Sequence, residues 1–313
     1  MNKVYEIVTE KIVQMLEKGV VPWIRPWKVI PPSNLISGKP YRGINVLLLF
    51  CTAYTSPFWL TFKQAAMLGG HVKKGEKSSI VVFWKQLDRA RENKSGGEDD
   101  VNDANDAPKE SSHIFPSPFS HMLRYYNVFN TDQCEGLVHK RLEDLAALAS
   151  HPSNALDLDQ LEALEKAQEM VDSMPLPPVI THGGFTAYYS PREDRITVPT
   201  LELFKSRQGY FGTLFHEIIH ATGHEKRLAR KSLMEASFFG DHSYSQEELV
   251  AEIGAAFLAA TAGIERDGQV ENSAAYIQSW LEVFKGDRKM VVKAASEAQK
   301  AADYVLGKRE EEA

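Results

Sequence analysis

His216 and His220 stand four residues apart in the stretch HEIIHATGHEKRL, with Glu217 beside the first of them. On an α-helix, residues four apart share a face about one turn apart, so both imidazoles can reach one ion. Glu217, next to that face, can take a proton from a water that the ion activates. The pattern HExxH arises by chance in roughly a few per cent of chains with this many histidines, so a third ligand decides the matter. Catalytic zinc keeps three protein ligands and one open position.

The residue six after His220, where one common pattern places its last histidine, is Lys226. His224 is four after His220 but follows Gly223, a helix-ending residue, and would crowd the other two ligands. It reads first as a capping or hydrogen-bonding residue and second as an alternative ligand. The better source is YSQEELVAEIGAAFLA, residues 244–259. Leu249, Ile253, Ala256 and Phe257 form its apolar face, and Glu248 and Glu252 stack on one flank. Two carboxylates on such a helix are costly to bury unless they bind a metal or hold a ligand histidine. Glu248 is taken as the third ligand, with Glu252 as a neighbouring hydrogen-bond partner or its substitute. The competing reading is a solvated acidic stripe, with Glu247 simply joining it.

From these parts a mechanism is expected. Zinc on His216, His220 and Glu248, one ion per chain and replaceable by another divalent metal, would lower the pKa of its water to roughly neutrality. Glu217 would act as general base and return the proton to a leaving amine. A hairpin over residues 188–198 could align an extended peptide by strand addition, and Tyr188 or Tyr189 could donate to the oxyanion.

The elements that must position these groups fall into two halves of opposite charge. Residues 1–90 carry 13 Lys and Arg against 5 acids, a net of +8, which leaves −14 for residues 91–313 out of the total of −6. A basic front joined to an acidic back points to a polyanion for the front. Trp23, Arg25, Trp27 and Lys28 sit on a proline-stiffened segment, PWIRPWK. KPYRGIN adds Lys39, Tyr41, Arg42 and Asn45, WLTFKQ adds Lys63, and HVKKGEK adds Lys73, Lys74 and Lys77. Aromatics interleaved with cations suit single-stranded nucleic acid, which needs a cationic groove and faces for stacking. Trp59 and Trp84 read instead as core.

Helical periodicity predicts a first helix over 2–18, a buried one in INVLLLFCTAY and a short one over 62–68. Strands are expected over 78–86 and 123–131. Residues 91–113 have the composition of a disordered, solvated insertion between those two strands. The first domain is expected over 1–140 and the second over 150–308, the latter with a hairpin and helices at about 201–226, 244–262 and 272–306. The fold class expected is α+β: a small mixed module followed by a mainly helical one with a short sheet. Cys51 and Cys134 have no metal spacing. No apolar run is long enough to span a bilayer, so a cytoplasmic protein without a membrane partner is expected.

The succession VTEKIVQMLEKGVVPWIRPWK, GKPYRGINVLLL, WLTFKQA, VKKGEKSSIVVFWK and YYNVFNTDQCEGL resembles the N-terminal DNA-binding domain of ArdC-type antirestriction proteins. TraC-type plasmid primases carry a similar domain. HGGFTAYYSPREDRITVP, FHEIIHATGHEKRL, EELVAEIGAAFL and AAYIQSWLEVFKGDRK resemble the zincin-like metallopeptidase domain that follows it in that family. The resemblance implies single-stranded DNA as partner and carriage by a mobile element in a bacterial host. It also implies protection of incoming DNA from restriction, and a metal site of His216, Glu217, His220 and a glutamate of EELVAE. The peptide or protein substrate is left unknown. The alternative is a DNA-binding protective protein whose zinc site is structural or vestigial.

Overall fold

The computed structural model describes residues 3–23, 31–50, 52, 54–87, 120–149, 156–234, 242–264 and 274–308. Arg25, Trp27, Lys28 and the insertion 91–113 lie outside them. In chain order come α1 (Lys3–Glu17), β1 (Ser33–Asn34), α2 (Ile44–Phe50), β2 (Phe58–Leu60), α3 (Phe62–Met67), β3 (His71–Val72), β4 (Ser79–Leu87), β5 (Ser120–Asn130), β6 (Cys134–Glu135), α4 (Lys140–Ala149) and α5 (Leu156–Asp172). They are followed by β7 (Val179–His182), β8 (Tyr188–Ser190), β9 (Arg195–Val198), α6 (Arg207–Thr222), α7 (Lys231–Met234), α8 (His242–Ala262), α9 (Ala274–Gly286) and α10 (Met290–Val305). The architecture is α+β, with a mixed front and a mainly helical back.

In the front, a sheet of order β1-β2-β5-β4 is built on the long antiparallel pair β4–β5, from Ser79 opposite Val128 to Leu87 opposite Ser120. The two strands expected on either side of the insertion therefore pair directly. The free edge of β4 is closed by a side chain. The Asn45 amide donates to Val82 O at 2.8 Å and accepts from Val82 N at 2.7 Å, completing both backbone groups of one residue as a neighbouring strand would. That use explains why Asn45, nominated for DNA, is buried.

In the back, the sheet order is β7-β9-β8, with β7 parallel and β8 antiparallel to the central β9. α6 and α8 pack together below it. Ser206 starts α6 by accepting from Gly209 N at 3.0 Å, and Phe211, Leu214, Phe215, Ile218 and Ile219 bury its inner face. Gly254 lets α8 come close. A Cβ at that position would lie 2.8 Å from Ile219 Cδ1. The sequence pattern suggested one helix over 272–306, but Gly286 ends α9. Asp287 then accepts from Lys289 N at 2.8 Å, and α10 starts anew at Met290.

The two halves share one core. Val8, Ile12 and Leu16 of α1 lie in the same buried cluster as Trp280 and Phe284 of α9 and Met290 of α10. Trp23 joins it at 3% exposure, edge-on to Trp280 with ring centroids 5.0 Å apart. It is thus packed away rather than offered to a base. Arg42 is likewise engaged, paired with the buried Asp303 of α10, while Gly43 N donates to Gln299 Oε1 at 3.0 Å. α10 meets α6 and α8 as well as α2, so one helix touches both the HExxH helix with its neighbour and the basic front.

Candidate metal centre

Three ligand atoms converge where α6 meets α8. His216 Nε2 and His220 Nε2 are 3.1 Å apart. Glu248 reaches both, Oε2 at 3.5 Å from His216 Nε2 and Oε1 at 3.6 Å from His220 Nε2. Metal–ligand bonds of about 2.1 Å at tetrahedral angles would hold donor atoms about 3.4 Å apart. The three approaches, the last two made by different oxygens of Glu248, are near that separation, and two imidazoles and a carboxylate are a set that divalent metals accept.

The outer nitrogens are claimed by carboxylates. His216 Nδ1 lies 3.1 Å from Glu252 Oε1, and His220 Nδ1 lies 3.2 Å from Glu247 Oε1. Each carboxylate fixes the proton on Nδ1 and leaves Nε2 as the free donor, the arrangement that orients metal-binding histidines. Glu247 is itself anchored. Arg230 donates to Oε1 at 2.5 Å and to Oε2 at 3.1 Å, and Ser232 donates to Oε2 at 2.6 Å. Arg230 also donates to Thr222 Oγ1 and Ile219 O, which ties the assembly back to α6.

The surrounding carboxylates favour positive charge at this place. Burial pulls the His216 imidazole down, but hydrogen bonds with Glu248 and Glu252 and the charges of Glu252 and Glu217 outweigh it and push it up to about 10. Burial raises Glu247, but His220 and the Arg230 guanidinium dominate and hold it at about 2. Burial raises Glu248 too, yet His216, the charge of His220 and the Tyr244 hydroxyl bring it below the usual range. Glu248 and Glu252 thus face His216 while Glu247 and Glu248 face His220, a carboxylate-rich setting suited to a divalent cation. Glu217 is buried on α6 between the two histidines in sequence.

His224 stands outside the triangle. Its Nδ1 accepts from Lys226 N at 3.2 Å and lies 4.0 Å from Asp194 Oδ2, so it shapes the turn after α6. That turn holds a second network. Arg227, its side chain 1% exposed, pairs with Asp194 in the β8–β9 turn and donates to Ala221 O at 2.6 Å and Tyr189 Oη at 3.2 Å. Tyr189 donates to Asp194 Oδ1 at 2.9 Å. Burial raises its phenol, and the Asp194 carboxylate adds to that shift. Tyr189 is therefore used in pinning the hairpin to the end of α6, while Tyr188 is 52% exposed.

Of the basic front residues, Lys39, Lys63, Lys74 and Lys77 are exposed. Lys73 donates from Nζ to Asp132 O at 2.9 Å. Tyr41 is half-buried, and that burial pushes its phenol up to about 12 against a smaller lowering by Asn34. Among the described residues no helix is long and apolar enough to cross a membrane.

A helix carrying HExxH, a short mixed sheet above it and a glutamate from the next long helix define a zincin-like metallopeptidase domain. Its family model, the zincin-like metallopeptidase, matches residues 165–297, and the N-terminal domain of the anti-restriction factor ArdC matches residues 2–129. The chain belongs to the ArdC antirestriction family. The uncharacterized protein y4eC of Sinorhizobium fredii is 31% identical, over 96% of this chain and 91% of its own. The DNA primase TraC of Escherichia coli is 33% identical over 96% of this chain, which spans 20% of that primase. The crystal structure of the ArdC protein of plasmid R388 with Mn(II) bound is 35% identical, with a TM-score of 0.70 over 97% of both chains. The metal-free structure of that protein gives 36% and 0.70.

Proposed function

We propose that this is an antirestriction protein of a mobile element in which a single-stranded DNA-binding module, residues 1–140, is joined to a zinc-dependent peptidase module, residues 150–308. The observation that carries the reading is the triangle of His216, His220 and Glu248, with a carboxylate on the outer nitrogen of each histidine. The Mn(II)-bound ArdC of R388 supports a divalent metal, and zinc is assigned from the two-imidazole, one-carboxylate donor set. When bound, such a metal supplies Lewis acidity toward a carbonyl and a water.

The chain supplies the rest. Glu217 takes the proton of the attacking water and passes it to the leaving amine. Glu247 and Glu252 keep Nε2 of both histidines aimed at one point. β8 is paired on one side by β9. Its other side receives an extended substrate by strand addition, with Tyr188 exposed beside it. The exposed lysines of the front hold the DNA backbone, and protection of entering DNA is the purpose of combining the two.

The test is Glu217→Gln, followed by metal content, single-stranded DNA affinity and plasmid transfer into a restricting and a non-restricting recipient. Metal and DNA binding retained, with transfer into the restricting recipient lost, is expected. Full protection by the variant would mean that DNA binding alone protects and that the metal site is structural.

A further inference from the structure

Among the described side chains of the basic front, the aromatic faces offered to solvent are not those of Trp23 and Trp59. Trp23 and Trp59 are buried, whereas Phe62 is 62% and Tyr125 is 37% exposed. On β5 the residues Tyr125, Asn127 and Phe129 share one face of the sheet. Their partners in register are Val82, Ile80 and Leu60, all buried. The flanks of that face are therefore covered while its middle, along β5, stays open. Phe62, the first residue of α3, closes one end of the strip, its ring centroid 6.3 Å from that of Phe129 at 65°.

Beyond this end lies positive charge. Lys63 follows Phe62 and is exposed. Ser79 pairs with Val128, so the loop of Lys74 and Lys77 runs beside the C-terminal end of β5, and both lysines are exposed. Acids lie at this end too: Asp132 accepts from Thr55 N and Ser56 N, Glu76 accepts from Gln133 Nε2, and Glu135 faces His71, so these carboxylates are held to the protein while the lysines extend into solvent. Alternate residues of a strand are about 7 Å apart, roughly twice the 3.4 Å rise per base within one strand of a duplex. Tyr125 and Phe129 are two such steps apart, about 14 Å with Asn127 between them, a separation that a single strand drawn out to about 7 Å per nucleotide spans in two nucleotides and a stacked duplex does not.

We propose that single-stranded DNA lies along β5, with bases stacked on Tyr125, Phe129 and Phe62 and phosphates held by Lys63, Lys74 and Lys77. This rests on the single-strand reading given above and assigns it a place and a polarity-free, sequence-tolerant mode of contact. Asn127, exposed between the rings, offers its amide to one base edge.

The test is fluorescence anisotropy with a labelled oligothymidylate at fixed salt. Loss of one stacking ring weakens binding by about 5- to 100-fold, so Phe62→Ala and Tyr125→Ala are each expected in that range. Tyr125→Phe, which keeps the ring, binds like the unaltered protein. Phe83→Ala, which removes a 47% exposed ring from the opposite face, also leaves binding unchanged. Lys74→Gln and Lys77→Gln each lower the slope of log K against log salt by about 0.7. Unchanged affinity of both alanine variants, beside firm binding by the unaltered protein, overturns this site and leaves the single-strand reading standing. No binding by the unaltered protein sinks that reading, and the site with it.

Discussion

Glu247→Gln isolates the contact on which the geometry of His220 depends. The substitution keeps the size of the side chain and removes its charge. In the native arrangement Glu247 accepts from Arg230 twice and from Ser232, and faces His220 Nδ1, with both members of the ion pair at most 4% exposed. Breaking a buried pair by neutralising one partner costs about 3–5 kcal/mol, because the other charge is left without compensation. The lower end applies here, since Arg230 keeps Thr222 Oγ1 and Ile219 O as acceptors. A second effect is separable from the first. Loss of the carboxylate behind a ligand histidine lowers metal affinity by about 10- to 100-fold. Urea denaturation of the metal-depleted protein reads the first effect, and chelator competition on the folded protein reads the second. Glu225→Gln, at an exposed position on the following turn, serves as control and changes neither. Metal affinity and denaturation midpoint both equal to those of the unaltered protein would refute the orienting role of Glu247.

Asn45→Ala strands the backbone N–H and C=O of Val82 at the edge of β4 and is expected to cost about 2–4 kcal/mol, read by denaturation, with DNA affinity of the folded fraction unchanged. Gly254→Ala forces a methyl against Ile219, costing about 1–3 kcal/mol, and weakens metal binding by parting α6 from α8. Ile219→Ala, which removes Cδ1 and both Cγ atoms that lie within 2.9 Å of the new methyl, makes the double variant more stable than the sum of the two single changes. Asp194 is raised by burial but brought below its ordinary value by hydrogen bonds from Arg227 and Tyr189 and by the Arg227 charge. Its folded pKa being the lower one, its stabilisation is present above the ordinary carboxylate range and is lost as pH falls through the folded value. Asp194→Asn is therefore less stable near neutrality and loses less on acidification below about pH 4, as thermal denaturation across pH would show.

The helices that carry the candidate ligands are legible in the sequence because their chemistry repeats at the helical period. His216 and His220 share a face by spacing alone, and Glu248 joins them in the structure. Glu247 is not legible in the same way. It neighbours Glu248 in sequence and looks like one more surface acid until α7 and its preceding turn bring Arg230 and Ser232 against it. The β4–β5 pairing across the insertion follows from two β-rich segments, but β1, β3 and β6 are two-residue strands with no period to read. The basic front shows the limit of composition. Trp23, Arg42 and Asn45 have the residue types of a DNA surface, yet the first packs on Trp280, the second pairs with Asp303 and the third closes a sheet edge. Partners more than 200 residues away in two of these three cases are tertiary facts that local pattern does not carry.

The central claim is that His216, His220 and Glu248 hold one divalent metal in a module separable from DNA binding. Metal content by mass spectrometry, with matched single-stranded DNA titrations, on the unaltered protein and on Glu248→Ala tests it most directly. One equivalent of metal per chain, lost in Glu248→Ala while DNA affinity persists, is the expected result. A full equivalent retained by Glu248→Ala, or none bound by the unaltered protein after reconstitution with zinc or manganese, would contradict it.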